Sequence, residues 1–162
     1  MAKLLMVDYE KCVGCRTCEI ACSIGHGGAI NPARSRIGVV KWEMPGKGIP
    51  MTCAHCEQAP CQAICPVGAI SRCDSSGVTI DYDLCIGCRM CAAVCPFGAI
   101  NFDSIGKRVI KCDLCDGDPL CAKFCAYGAL QYVEASRQTL TKQRQAADRL
   151  RELANAGRHH GV

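Results

Sequence analysis

The sequence contains few aromatic residues and no long apolar segment. Aromatic residues make up 5% of its 162 residues, and no stretch approaches the roughly 20 apolar residues that a transmembrane helix needs. Only four consecutive apolar residues follow Lys3, too few for a secretory signal, and no twin arginine precedes them. We therefore expect no membrane span and a cytoplasmic location. Export on the signal of a partner subunit stays open as an alternative.

Motifs of catalysis and of nucleotide binding are also absent. The sequence shows no nucleophile with a partner base, no acid–base pair, no Walker loop and no dinucleotide fingerprint. Its glycine-rich pieces at Gly25–Gly28 and Pro45–Gly48 lack the strand–turn–helix setting of a phosphate-binding loop. We therefore expect a chain without catalytic activity of its own.

Cysteine, by contrast, is abundant. The chain has 17 cysteines, about a tenth of its residues, which is typical of disulfide scaffolds and of metal proteins. In a reducing cytoplasm, dense cysteines bind metal more often than they form disulfides. The hydrophobic content of 49% includes these cysteines, and without them it falls to roughly 38%. Because this apolar fraction is small, we expect bound cofactors to supply much of the folding free energy.

The run Cys85–Pro96 has the clearest metal-binding pattern. It reads CIGCRMCAAVCP, the C-x2-C-x2-C-x3-C-P spacing of bacterial iron–sulfur proteins. Three thiolates on a tight loop can bind one cluster, while the fourth, at the start of a helix, ligates a neighbouring cluster. Gly87 suits the turn between the first two ligands because it has no side chain to crowd the backbone. Such a run predicts a partner run elsewhere in the chain.

Three further runs give four cysteine quartets in all, each ending in C-x3-C. The quartets are Cys12, Cys15, Cys18 and Cys22; Cys53, Cys56, Cys61 and Cys65; Cys85, Cys88, Cys91 and Cys95; and Cys112, Cys115, Cys121 and Cys125. Zinc sites usually separate two C-x2-C pairs by a long spacer, whereas here the third and fourth cysteines lie within one helical turn. We therefore expect four [4Fe–4S] clusters, in preference to zinc sites or disulfides.

The net charge of +4 comes entirely from the C-terminal segment. Residues 1–136 carry 13 Lys and Arg against 13 Asp and Glu, and residues 137–162 carry six against two. Four oxidised clusters bound by sixteen thiolates would add a charge of about −8, which gives the holoprotein a net charge of about −4. We therefore expect no binding to nucleic acid.

A repeat of 30 residues organises the runs. CPVGAI, CPFGAI and CAYGAL recur at Cys65–Ile70, Cys95–Ile100 and Cys125–Leu130. Such self-similarity indicates a duplicated unit, here a cluster loop, a short helix and a strand opened by Gly-Ala. Two such units make one two-cluster ferredoxin fold, so four runs predict two of them.

The segments between the runs predict short strands and loops. We expect strands at Leu4–Val7 and Arg36–Trp42, and a small hairpin of Ile100–Phe102 with Val109–Ile110 across Ser104–Gly106. Residues 23–35 and Met44–Pro50, rich in glycine and proline, are predicted loops. The fold class is therefore α+β: two interleaved bacterial-type two-cluster ferredoxin units with small antiparallel strands and short helices, plus a C-terminal helix.

The C-terminal segment has a different composition. Residues 1–135 form the predicted cluster domain, and residues 136–162 an amphipathic helix and tail. Its apolar stripe is Leu140, Ala147, Leu150 and Ala154, with Ser136 as the N-cap and Gly157 at the end. The helix either covers apolar surface of the chain itself or docks as an arm on a catalytic subunit or a second copy. We favour the arm, because its basic face has no acidic counterpart nearby in sequence.

The second run carries a specific resemblance. Its form CxHCExxPCxxxCP, from Cys53 to Pro66, set among three other ferredoxin runs, resembles the four-cluster iron–sulfur subunits of the dimethyl-sulfoxide-reductase type. The resemblance covers about residues 3–133, and the chain departs from the pattern after Cys22 and Cys125, where proline is missing. Within that family, the short linkers and detached helix look most like the electron-transfer subunit of bacterial tungsten-dependent aldehyde oxidoreductases.

The resemblance implies how the quartets exchange ligands. Run one would pair with run four to form an outer unit, and run two with run three to form an inner unit over residues 50–103. The implied ligand sets are Cys12, Cys15, Cys18 and Cys125 for cluster 1; Cys22, Cys112, Cys115 and Cys121 for cluster 2; Cys53, Cys56, Cys61 and Cys95 for cluster 3; and Cys65, Cys85, Cys88 and Cys91 for cluster 4.

The resemblance also implies a role and partners. A tungsten- or molybdenum-pterin subunit would deliver electrons from aldehyde oxidation, and a flavin subunit would pass them to NAD or another acceptor. The same electron-transfer role could serve a hydrogenase, a carbon-monoxide dehydrogenase, a formate or an aromatic-ring reductase complex. A free-standing soluble ferredoxin is the alternative of a different class, and a zinc-structured interaction module is a third.

Several residues near the runs allow two readings. For Cys73, outside the quartets, we expect a small buried side chain instead of a spare ligand. For His55 we expect a role beside the cluster or at the surface instead of ligation. Trp42 is predicted to pack. The basic residues that flank the runs are expected to be solvated charges, although they could raise potentials or guide docking: Lys11, Arg16, Arg89, Lys111 and Lys123.

Overall fold

The computed structural model describes residues 3–42, 46–73, 77–134 and Ala147. Its strands are β1 (Lys3–Val7), β2 (Gly38–Trp42), β3 (Lys47–Met51), β4 (Ile70–Cys73), β5 (Gly77–Ile80), β6 (Ile100–Asp103), β7 (Arg108–Lys111) and β8 (Leu130–Glu134). Its α-helices are α1 (Thr17–Gly27), α2 (Pro60–Ala63), α3 (Met90–Ala93) and α4 (Leu120–Lys123). Short 3-10 helices cover Tyr9–Lys11, Pro32–Arg34 and Leu114–Gly117. The prediction of an α+β fold built from small strands and short helices is confirmed.

The 30-residue repeat is visible in three dimensions. Helices α2, α3 and α4 begin at Pro60, Met90 and Leu120, and the strands that follow begin at Ile70, Ile100 and Leu130. The first residue of each of these strands is buried, as is the alanine before it. The small alanine and the branched residue thus give each repeat the same apolar anchor, and the predicted recurrence of a short helix followed by a strand is confirmed.

The strands pair in four two-stranded sheets, β1–β8, β2–β3, β4–β5 and β6–β7. Strand β1 leads into the first cysteine run and β8 follows the fourth. Strand β4 follows the second run and pairs antiparallel with β5, which leads into the third. The Asp8 N–H donates to the Ala129 carbonyl, and the Asp81 N–H to the Ala69 carbonyl, each at 2.7 Å. The same pattern thus joins runs one and four, and runs two and three.

The core is divided in the same way. One cluster of buried side chains is Ala59, Cys61, Ile70, Val78, Cys91, Ile100 and Val109, from the segments around runs two and three. The other is Cys18, Cys22, Ile37, Val39, Cys121 and Leu130, from the segments around runs one and four. Val78 and Val109 are each 1% exposed. Because cysteines make up much of both cores, the apolar core and the candidate metal sites are the same regions.

The predicted loop at Met44–Pro50 is wrong in its second half, where β3 pairs antiparallel with β2. Gly48 within β3 lies against the first run, since a Cβ added there would come 2.8 Å from the Gly14 Cα. The Gly48 N–H donates to the Cys12 carbonyl at 3.4 Å. The glycine that suggested a loop instead allows this close approach.

The predicted loop over residues 23–35 is also partly wrong, because α1 continues to Gly27. Gly25 lies within this helix, and a Cβ at that position would collide with Leu120 of α4. The helix ends at Gly28, whose φ of 68° is the left-handed conformation that glycine adopts readily. Packing of α1 on α4 therefore explains a glycine inside a helix.

The chain divides into two compact units. One is Leu5–Tyr132, and the other consists of the two chain ends, of which residues 3–4 and 133–134 are described. Apart from Ala147, the predicted helix over 136–162 lies outside the described residues, so the domain boundary at residue 135 stays a prediction. No helix in the described part of the chain is long and apolar enough to cross a bilayer.

A buried ion pair holds the Pro32–Arg34 turn against the β6–β7 hairpin. The Asp103 side chain is 2% exposed and accepts from Arg34 Nε at 3.0 Å, from Arg34 Nη2 at 2.9 Å and from the Ile105 N–H at 3.0 Å. The Gly106 N–H, then Arg34 and Ile105, lower the pKa of Asp103 against the opposing effect of burial. Since a depressed carboxyl pKa stabilises the fold at pH values above the unfolded pKa of about 3.9, the contribution is fully present at neutral pH.

We predict that Asp103→Asn speeds unfolding at neutral pH by roughly tenfold, because it leaves the Arg34 guanidinium without its anion. The rate at which visible absorbance is lost in urea under argon measures this effect. Asp118→Asn is the matched control, since Asp118 pairs with Lys123 at an exposed position and exposed pairs contribute little. Equal unfolding rates for the two variants would contradict the role assigned to Asp103.

Candidate functional site

All seventeen cysteines lie in the described residues, and every one is a free thiol. Disulfides therefore do not account for the high cysteine content. The sixteen cysteines of the four runs instead converge in groups of four on separate parts of Leu5–Tyr132.

Three of these groups each surround a cavity. One cavity is lined by Cys12, Cys15, Cys18 and Cys125. A second is lined by Cys53, Cys56, Cys61 and Cys95, and a third by Cys65, Cys85, Cys88 and Cys91. In each case three cysteines come from one run and the fourth from another. These groups have the same members as three of the ligand sets that the family resemblance implies; ligation itself stays a prediction.

The remaining four cysteines, Cys22, Cys112, Cys115 and Cys121, form a fourth group. Burial raises the pKa of Cys121, and Cys112, Cys22 and Cys115, in that order, raise it further because their charges lie close by. Three of the four side chains are buried, and Cys115 is partly buried. This group is the most enclosed of the four.

The third cysteine of every run is buried: Cys18, Cys61, Cys91 and Cys121. Burial is the main cause that raises the pKa of each of these thiols, and it raises the pKa of Cys18 to about 12. Metal ligation requires the thiolate. A positively charged metal must therefore offset the cost of desolvating these anions, and the free thiol is the favoured form without it.

Backbone N–H groups point at several sulfurs. Cys53, Cys95, Cys112 and Cys22 accept from the N–H groups of His55, Ala99, Leu114 and Arg36, at 3.4, 3.4, 3.5 and 3.3 Å. His55 and Leu114 adopt positive φ angles of 48° and 57°, which turn their N–H groups back toward the loop. Gly87, with φ of 70°, forms the tight turn that the sequence predicts. Bonds of this kind favour a thiolate and tune a bound cluster.

The spacing of the sulfurs distinguishes between zinc and a cluster. In the described residues, the only ligand group whose atoms all lie within 4.8 Å is His26, Asp113 and Cys115. Around one tetrahedral zinc, with Zn–S of about 2.3 Å, three thiolates would lie about 3.8 Å apart. None of the cysteine groups is that compact. Four soft sulfur donors around a cavity instead fit a polynuclear iron–sulfur cluster.

A charged network that the sequence did not reveal adjoins the fourth group. His26 Nε2 bonds Asp113 Oδ1 at 3.1 Å, and Arg36 forms an ion pair with Asp113 Oδ2. The Asp113 bond, then contacts with Cys115 and Cys22, raise the pKa of His26 to about 12. Because Asp113 is already paired with two cations, the ligand group that includes it is a poor site for a further ion. Had α1 been predicted to reach Gly27, the i,i+4 spacing of Cys22 and His26 would have indicated the contact between these two side chains.

The residues outside the quartets give mixed outcomes. Cys73 is exposed and contacts Thr79 Oγ1 at 3.5 Å, so the expected burial is wrong. Trp42 is 50% exposed, so the expected packing is wrong as well. His55 Nδ1 accepts from the Val78 N–H at 3.0 Å. Burial, and then the charge of Lys111, lower the pKa of His55 to about 4, which keeps it neutral at neutral pH.

The five basic residues that flank the runs do not behave alike. Lys11, Arg16, Arg89 and Lys123 are exposed, as expected of solvated charges. The Arg89 guanidinium also stacks over the Phe102 ring at 3.6 Å from its centroid. Lys111 contradicts the expectation, because it is 2% exposed and buried in the protein.

Known proteins share these features. Residues 44–135 match the 4Fe-4S dicluster domain, and residues 9–25 match a 4Fe-4S binding domain. The chain is 40% identical over 85 residues to the polyferredoxin-like subunit of the aliphatic sulfonate oxidoreductase of Pyrococcus furiosus, covering 52% of this chain and 49% of that protein. It is 38% identical over 90 residues to formate hydrogenlyase subunit 2 of Escherichia coli K12, covering 56% of this chain and 43% of that protein.

The chain spans about half the length of these two curated relatives. A chain of the solved active-site complex BamBC of benzoyl coenzyme A reductase has 28% identity and a TM-score of 0.48, covering 95% of this chain and 98% of that chain. A TM-score this low carries no argument about the fold. The dicluster match alone covers more than half of the 162 residues. The chain therefore belongs to the 4Fe-4S dicluster domain family, and it binds [4Fe–4S] clusters.

Proposed function

We propose that the chain is a non-catalytic electron-transfer subunit that binds four [4Fe–4S] clusters. The observation that carries the proposal is the grouping of sixteen free cysteines into four sets, three of which line cavities. The proposed ligands are Cys12, Cys15, Cys18 and Cys125 at site 1; Cys22, Cys112, Cys115 and Cys121 at site 2; Cys53, Cys56, Cys61 and Cys95 at site 3; and Cys65, Cys85, Cys88 and Cys91 at site 4. The paired strands and the divided core support exchange of ligands between runs one and four, and between runs two and three.

The contacts between groups favour one order of sites. The charge of Cys18, at site 1, acts on Cys121 at site 2. The charge of Cys53, at site 3, acts on Cys112 at site 2. Cysteines of sites 3 and 4 share one core around Val78. We propose from these contacts that the sites form the row 1–2–3–4, which suits stepwise passage of electrons from one end to the other.

The two ends of this row are the accessible ones. Cys15 at site 1 and Cys88 at site 4 are exposed, whereas no cysteine of sites 2 and 3 is. Lys11, Arg16 and Tyr127 line the cavity of site 1, and Ile86, Arg89 and Met90 line that of site 4. Electron entry at one accessible end and exit at the other is the arrangement expected of a subunit placed between two redox partners.

The protein contributes binding, orientation and insulation. A [4Fe–4S] cluster supplies one-electron redox chemistry at each quartet. The buried third cysteines exclude water from the inner side of each site, and the backbone N–H groups at Cys22, Cys53, Cys95 and Cys112 stabilise negative charge on sulfur. No residue of the described segments is assigned to bond making or breaking.

For the partners we propose a tungsten- or molybdenum-pterin catalytic subunit that oxidises an aldehyde, together with a flavin subunit that reduces NAD. The resemblance of the second run supports this choice. Relatives named as subunits of an aliphatic sulfonate oxidoreductase and of formate hydrogenlyase support a place in a multisubunit oxidoreductase. The dense thiols favour assembly in the reducing cytoplasm. Self-association through residues 136–162 belongs to the same proposal.

The proposed ligand assignment predicts that substitution of two exposed cysteines, Cys88 and Cys73, has different effects on the iron content. We expect Cys88→Ala to lower the iron content by about one atom, if a three-iron cluster remains, or by about four if the cluster is lost. Cys73→Ala should leave iron and the paramagnetic signal unchanged, because Cys73 lies outside the quartets. Iron analysis and low-temperature spectroscopy of anaerobic preparations measure both. Equal iron loss in the two variants would refute the assignment.

The composition of the complex tests the proposed partners. Anaerobic purification from the native organism through a tag on this chain should recover about sixteen irons per chain and a larger subunit containing tungsten or molybdenum. Metal analysis and mass spectrometry of the eluate provide the readout. A chain that elutes alone as a monomer with full iron content would favour a free-standing ferredoxin. Iron far below this level would overturn the proposed function itself.

A further inference from the structure

Lys111 is a buried cation at the end of β7, immediately before Cys112. It is 2% exposed. Its ammonium group donates to the Cys112 carbonyl at 2.9 Å and to the Val78 carbonyl. Both acceptors are backbone oxygens, so the hydrogen bonds position the charge without neutralising it.

Among the described residues, no carboxylate forms an ion pair with Lys111. The ion pairs found within the described residues are Lys11–Asp8, His26–Asp113, Arg34–Asp103, Arg36–Asp113 and Lys123–Asp118, and none involves Lys111. An unpaired buried cation is costly, and buried charges are therefore normally paired. An anionic group bound beside Lys111 would compensate its charge.

The two carbonyls place the ammonium between sites 2 and 3. Cys112 belongs to site 2, and Val78 lines the cavity of site 3. Burial raises the pKa of Cys61 at site 3, and Lys111 is the next cause and opposes that shift. Cys53 of site 3 lies close enough to Cys112 for its charge to act there. The positive charge therefore acts on the Cys61 sulfur of site 3 and lies against the backbone carbonyl of Cys112 at site 2.

We propose that Lys111 is the shared counter-cation of the two middle clusters and raises the reduction potentials of both. This inference rests on the proposed function. A cluster with four thiolates carries about −2 when oxidised, and reduction adds a further negative charge. A fixed cation buried beside it stabilises the reduced form, because electrostatic attraction is strong where water is excluded.

The position of Lys111 between sites 2 and 3 explains why raised reduction potentials would help electron transfer. Sites 2 and 3 are the enclosed ones, where desolvation disfavours the added electron. Without a nearby cation, the middle of the row would be a barrier between the accessible ends. Lys111 brings the inner potentials toward those of the outer sites, which keeps transfer across the junction from becoming strongly uphill.

The experiment is a redox titration of the full-length holoprotein, followed by low-temperature paramagnetic resonance. Lys111→Gln removes the charge and keeps a hydrogen-bond donor. We expect the equilibrium constant for reduction to fall at least about tenfold in two of the four steps, a downward shift of about 59 mV for a one-electron couple. Lys111→Arg, which keeps the charge, should lie closer to the wild-type potentials.

Lys123→Gln is the matched control. It removes the same charge two residues from Cys121 and from Cys125, but its side chain is 52% exposed and paired with Asp118. We expect a smaller shift that shrinks further in high salt, since salt screens exposed charges much more than buried ones. The shift caused by Lys111→Gln should persist in high salt.

The outcomes separate the two proposals. Full iron content in Lys111→Gln with unshifted potentials would overturn the role of Lys111 and leave the proposed function intact. If Lys111→Gln loses iron, the iron contents of Lys111→Met and Lys111→Arg distinguish charge from shape. Iron lost in Lys111→Met and kept in Lys111→Arg supports a requirement for the positive charge. Iron lost in all three variants means that shape, not charge, matters, and overturns the inference. Absence of reducible clusters in the wild type would instead refute the proposed function.

Discussion

The structure depends on the burial of sulfur. The third cysteine of each run lies inside the protein, where burial raises its pKa and favours the neutral thiol. The same four positions lie in the two small cores. A bound metal cluster therefore stabilises both the thiolates and the cores, since its positive iron ions attract the thiolates and its volume fills the space between the cysteine loops. In a chain with only 5% aromatic residues, we expect cofactor binding to be coupled to folding.

An approximate internal symmetry organises these sites. The strand before the first run pairs with the strand after the fourth, and the strand after the second run pairs with the strand before the third. Hydrogen bonds from Asp8 and Asp81 to the two equivalent alanine carbonyls have the same length. This arrangement brings cysteines that are distant in sequence to one cavity. It also supports the proposed exchange of ligands between runs.

Charge inside the protein is arranged differently from charge in the sequence. The formal +4 comes from residues 137–162, yet two other sets of charge adjoin the cysteine groups: the buried Lys111 and the His26–Asp113–Arg36 network. One adjoins the junction of sites 2 and 3, and the other adjoins site 2. Both are cationic, which suits the anionic clusters proposed there. A count of charges along the chain gives no indication of this, because a few cations in a dry interior outweigh many in water.

The sequence by itself determined the local features. Cysteine spacing within each run, the turn at Gly87 and the 30-residue repeat depend on neighbours along the chain, so pattern alone predicted the short helices, the strands that follow them and the sixteen candidate ligands. Only the tertiary structure decided what depends on distant contacts. A glycine stands inside a helix at position 25 because Leu120 packs against it, and one stands inside a strand at position 48 because Gly14 approaches closely. Cys73 is exposed, and Lys111 is buried. Each of these features depends on the residues that the fold places beside it, and the neighbouring residues in sequence do not specify those tertiary contacts.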